Sequence, residues 1–151
     1  MQTIDELIAS APIFDGLERE QLALIAGCGR NEHVEGGAFL VREGEPAERF
    51  FLIRRGSVAL EVQAPERTLT IETLHPGDPV GWSWLFAPYR WQLDARALEP
   101  CELLGFDGVC LRGKCETDHD LGYELMRRFA ENLVERLQAT RLQLLDVYGH
   151  A

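Results

Sequence analysis

Gly37–Val62 reads GAFLVREGEPAERFFLIRRGSVALEV. It holds three apolar runs, Phe39-Leu40-Val41, Phe50-Phe51-Leu52-Ile53 and Val58-Leu60-Val62, parted by Glu43-Gly44-Glu45-Pro46 and Arg55-Gly56. Short runs rich in β-branched and aromatic residues, bounded by Gly and Pro, are strand and turn signals. The pattern continues outward from His33 to Phe106, with further runs at Leu69-Ile71 and Leu103-Leu104 and breaks at Gly36-Gly37 and His75-Pro76-Gly77. Many short strands spaced by about ten residues predict a mainly β fold with flanking helices, a double-stranded β-helix or jelly roll over residues 31–110.

Helical spacing takes over on both sides. Within 1–30, Ile4–Ala9 and Glu18–Cys28 carry apolar residues at helical intervals, and Pro12 and Gly16 punctuate the connection between them. Gly27 and Gly29 are expected to close the second helix in a left-handed turn. Residues 116–148 form the C-terminal helices. There Ala130, Leu133, Leu137, Thr140, Leu144 and Val147 follow the alternating three-and-four spacing of a coiled-coil seam, with Met126, Phe129, Val134, Arg141, Leu145 and Tyr148 beside it. So wide an apolar arc needs two surfaces to bury it. One end capping the core is the plainer account. The heptad pattern favours a parallel homodimer through Leu133, Leu137, Thr140 and Leu144.

A chain of 151 residues can bury about two thirds of its unfolded surface, enough for one domain over 1–151 without a staple. Its net charge of −10 repels phosphate backbones, so direct nucleic-acid binding is not expected. No apolar run approaches the roughly 20 residues of a membrane span, and MQTIDELIAS carries acids where a secretion signal carries bases, so a cytoplasmic protein is expected.

The four cysteines, Cys28, Cys101, Cys110 and Cys115, lack the spacing of a zinc knuckle or a redox pair. They read as reduced thiols, with Cys28 and Cys101 buried. His33, His75, His119 and His150 are isolated, and no metal site is expected. Glu43 and Glu45 flank a turn glycine, Asp118, His119 and Asp120 read as a helix cap, and no nucleophile elbow, P-loop or HExxH is present. The expectation is a non-enzyme.

Gly37–Val62, with its acid-Gly-acid turn, and His75–Leu85, HPGDPVGWSWL, resemble the cyclic-nucleotide-binding domain of the CRP/FNR regulators. The resemblance spans the front helices, the roll and the long C-terminal helix. It implies the cyclic-nucleotide-binding type of jelly roll, a regulatory role in signal transduction and a phosphate cassette within 76–96. It extends to no helix-turn-helix domain before the sequence ends at Ala151, so action through an unknown protein partner is implied.

In that cassette a glycine and an acid, then an Arg followed by a small residue, hold the cyclic phosphate and the ribose. Here Gly81 is in place, Trp82 stands at the acid position, Trp91 at the Arg position, and Gln92 or Leu93 at the small one. Removing one partner of a buried charge pair costs about 2–5 kcal/mol, so cAMP binding in the usual mode is not expected. Two bases could substitute, Arg90 by a one-residue slip and Arg96 further along.

Two readings of the aromatics stay open. Trp82, Trp84, Phe86, Tyr89 and Trp91 fill the nucleotide space as a plug, leaving a ligand-free dimeric module. Alternatively they line a pocket for a flat ligand, a cyclic nucleotide included, oriented by Ser83, Arg90 and Gln92.

Overall fold

The computed structural model describes residues 2–149, so His150 lies outside the described residues. Two short helices, α1 (Ile4–Ala9) and α2 (Arg19–Ala26), precede eight strands. These are β1 (Gly29–Val34), β2 (Phe39–Val41), β3 (Arg49–Arg55), β4 (Val58–Gln63), β5 (Thr68–Leu74), β6 (Pro79–Val80), β7 (Asp94–Ala97) and β8 (Cys101–Asp107). Helices α3 (Gly108–Thr117) and α4 (His119–Gly149) follow. The strands pair antiparallel in two four-stranded sheets, β1-β8-β3-β6 and β2-β7-β4-β5. The expected mainly β roll with flanking helices is what forms.

The two sheets have different surroundings, which explains their different sequence patterns. The first lies between the roll interior and the helices. Phe51 and Ile53 of β3 point into the roll with Val58, Leu60, Val80 and Leu103. Phe50 and Leu52 point the other way, into a second core with Phe106, Leu104, Leu121, Leu125 and Phe129. A strand buried on both faces reads as a continuous apolar run, and Phe50–Ile53 does. The second sheet has a polar outer face, so β7 alternates: Ala95 and Ala97 line the roll, while Asp94 and Arg96 pair with polar groups outside it.

Three boundaries differ from the sequence expectation. Gly27 ends α2 at φ −62°, not left-handed, and Gly29 opens β1 instead of closing the helix. Gly27 is instead crowded: a Cβ there would lie 2.9 Å from the Lys114 ammonium. Helix α3 begins at Gly108, inside the stretch expected to be strand. Asp107 starts it by accepting the Cys110 N–H at 2.9 Å, a local cap that overrides two weak helix formers, Gly108 and Gly113.

Asp118 separates α3 from α4 in an extended conformation and accepts the Leu121 N–H at 3.1 Å, the capping role expected of it. Helix α4 then divides in two. Leu121, Leu125 and Phe129, four residues apart, are buried in the helix-side core. Beyond Phe129, Leu133 and Thr140 are half-buried, and Val134, Leu137, Leu144, Leu145, Val147 and Tyr148 are exposed. No helix among the described residues is long and apolar enough to cross a membrane.

Candidate functional site

The cassette leaves β6 at Val80 and returns at β7, and its aromatics part company on the way. Gly81 turns the chain at φ +97°. Trp91, 6% exposed, folds back so that its six-membered ring lies directly over Gly81, where a Cβ would stand 2.5 Å from the indole Cη2. The glycine that lets backbone approach a phosphate here lets it approach an indole. Between Val41, Leu60, Val80, Gly81, Trp91 and Ala95 the roll retains a cavity of about 10 Å³, at the lower limit for one water.

Of the five aromatics expected to act together, Trp91 fills the roll and Trp82 packs at the boundary of the two cores. Trp84 turns to the helix side, fully buried, its ring stacked on Phe50 at 4.6 Å and set edge-on to Phe129 at 5.5 Å. Phe86 and Tyr89 are exposed, and the Arg112 guanidinium lies over the Tyr89 ring at 4.1 Å. The five-ring plug is therefore corrected to one ring in the roll, one at its rim and one in the neighbouring core. The physical reason is that the cassette crosses between two apolar cores and supplies both.

The candidate cations also have other uses. Arg90 is exposed and donates to the Gly44 carbonyl at 2.9 Å, bridging the cassette to the β2–β3 turn. Two backbone bonds seal the same seam: Gly44 N–H to Trp91 O at 2.9 Å and Trp91 N–H to Glu45 O at 3.0 Å. Arg96 forms a two-pronged pair with the buried Glu61 carboxylate, at 2.9 and 2.7 Å, on the outer face of β7 and β4. Gln92 is exposed and donates to the Arg90 carbonyl at 3.1 Å, while Ser83 is buried. The structure thus brings Gly81, Trp82, Ser83, Trp91 and Gln92 around the small cavity, but turns Arg90 away from it. Among the described residues no guanidinium lines that space.

Two arginines that sequence reading passed over touch the cassette: Arg112, over Tyr89, which also donates to the Trp84 carbonyl at 2.6 Å, and Arg136. Arg136 of α4 is half-buried beside Trp82, its guanidinium carbon 5.4 Å from the ring centre. It donates to the Pro79 carbonyl at 2.9 Å and faces Glu72 at 3.8 Å. Burial pulls its pKa below the usual guanidinium range, and Glu72 and Asp78 oppose that shift. Its Nη1 is buried without a hydrogen-bond partner among the described residues. Little in the sequence singles Arg136 out, since Arg141 is a second basic residue on the same half of the helix.

Gly81 gives the sharpest local test. Gly81→Ala combines a left-handed backbone with a clash against a ring that is itself enclosed, so a loss of about 1–3 kcal/mol is expected in urea unfolding. A loss under about 0.5 kcal/mol would mean that Trp91 is free to move aside.

The comparisons with known proteins bear on the same segment. The cyclic nucleotide-binding domain family model matches residues 31–118. A CRP-like cAMP-activated global transcriptional regulator of Mycobacterium tuberculosis is 28% identical over 147 residues, covering 95% of this chain and 63% of the relative. The chain therefore spans less than two thirds of that regulator's length. Among solved structures, a cyclic nucleotide-binding protein of Geobacter metallireducens superposes with a TM-score of 0.82 at 28% identity, over 91% of this chain and 99% of that one. The catabolite activator protein of Thermus thermophilus gives 0.71 at 22% identity, over 91% and 63%, a likeness of fold. With more than half its length matched by the family model and the roll, cassette and long helix in place, the chain belongs to the cyclic nucleotide-binding domain family.

Proposed function

We propose that this chain is a non-catalytic regulatory domain that does not hold cAMP in the usual mode and acts through a protein partner, pairing with a second copy along α4. The observation that carries this reading is the roll interior: Trp91 lies on Gly81, and about 10 Å³ remains. A ligand pocket ordinarily encloses about 300–1,000 Å³. A cyclic phosphate entering here would have to expel a buried indole and would meet no cation, a double cost that ordinary binding energy does not offset. The fold retains the other half of such a regulator, a helix anchored to the core at one end and apolar and exposed at the other.

Calorimetry of the chain against cAMP and cGMP tests the proposal, and no binding heat is the expected result. Binding tighter than about 10 μM, about −7 kcal/mol, would overturn it and favour an altered pocket that opens by moving Trp91.

A further inference from the structure

Two thiols far apart in sequence meet where the helices join the roll. Cys28 follows α2, and Cys110 lies in the first turn of α3, 82 positions later. Their sulfurs stand 2.7 Å apart, inside the approach of unbonded sulfurs and outside the about 2.05 Å of a disulfide bond. Asp107 holds both residues. Its N–H donates to the Cys28 carbonyl at 2.9 Å, and its carboxylate accepts the Cys110 N–H at 2.9 Å.

The two differ in access. Cys110 is exposed and Cys28 is buried, and both border an open depression of about 570 Å³ flanked by Arg30 and Arg49. Lys114, one turn along α3 from Cys110, donates to the Leu24 carbonyl at 2.7 Å and keeps an ammonium near Cys28. Burial and the Cys110 hydrogen bond push the Cys28 pKa up to about 11, against the pull of Lys114. That assigns the first step to the accessible partner.

We propose that Cys28 and Cys110 form a redox-active thiol pair, closed reversibly into an intramolecular disulfide by a small soluble disulfide such as oxidised glutathione. Cys110 gives its proton to water and attacks one sulfur of the oxidant, forming a mixed disulfide and expelling one small thiolate. Cys28 then loses its proton, attacks the Cys110 sulfur and expels the second. The two protons end on the two thiolates, so two small thiols leave, and the oxidant has taken two electrons from the protein. The new bond closes a loop around all eight strands and fastens α2 to α3.

Equilibration of the full chain with mixtures of oxidised and reduced glutathione, acid quenching, alkylation and peptide mass spectrometry reads the outcome. Expected are the loss of two alkylatable thiols, a linked pair of peptides containing Cys28 and Cys110, reversal by excess reduced glutathione, and a Tm rise of about 5 °C or more. The surface variant Cys110→Ser should abolish the link and the rise, while the double variant Cys101→Ser, Cys115→Ser should keep both. A mixed disulfide that persists on Cys110, a link through Cys115 or between two copies, or four alkylatable thiols after oxidation would each overturn the assignment.

Discussion

Trp84→Ala is expected to lower stability by about 3–5 kcal/mol, with a fall in Tm of roughly 10 °C. Two effects compete at this residue. Its indole N–H is buried without a partner among the described residues, so removing the side chain relieves a penalty of about 1–3 kcal/mol. Against that, the ring is fully buried and joins one continuous aromatic stack: Trp84 on Phe50 at 4.6 Å, Phe50 on Phe106 at 4.6 Å, and Phe129 edge-on to both Phe50 and Trp84. Truncation empties the space between the cassette and α4, which a small cap cannot refill, so the packing loss prevails. Trp84→Phe separates the two contributions, since it keeps a ring and deletes the N–H. It should cost less than half as much as the alanine variant. Urea unfolding decides the matter, and a loss below about 1 kcal/mol for Trp84→Ala would contradict the described core.

The second large effect is expected on assembly. Leu133→Asp combined with Leu137→Asp should convert the proposed dimer to monomers in sedimentation at tens of micromolar protein, roughly the range where a weak helix pair is half dissociated. Leu137 is 60% exposed in the isolated chain, and Val134, Leu144, Leu145 and Val147 extend the same uncovered apolar surface. Carboxylates in a seam between two helices lose their hydration without gaining a partner. The roll should survive, because the buried residues of α4 are Leu121, Leu125 and Phe129, all N-terminal to the altered positions. A dimer that persists in the variant would place the pairing surface elsewhere, and a monomeric parent chain would remove the pairing altogether.

Much of the fold was legible because burial writes directly into period. Phe50–Ile53 reads as a strand and is one, covered on both faces, and Phe129 lies on a helix as expected; Leu121 and Leu125, which carry the rest of that contact, stood out less because they precede the heptad pattern. Strand β1 was illegible for the converse reason. Its sequence GRNEHV has little to bury, and it is held by pairing over its own whole length with Cys101–Phe106 of β8. Helix α3 hides for lack of an apolar stripe, with Leu111 its one large buried side chain.

At the site, counting residues placed Trp91 where an arginine would stand, and the structure puts that ring over Gly81. What counting could not supply was the destination of each neighbouring ring. Trp82, Trp84 and Trp91 look alike in sequence, yet the cassette lies between two cores and distributes them. The meeting of Cys28 with Cys110 was equally hidden, since it depends on how β8 delivers Asp107 beside the end of α2.

Arg136 gives α4 a mechanical character. The helix is seated at Phe129 and gripped two turns later by a guanidinium that holds the Pro79 carbonyl and lies over Trp82. Turning such a shaft about its axis drags Pro79 and Trp82 with it. A rotation of α4 would thus pull first on the carbonyl one residue before Val80 and on the indole next to Gly81.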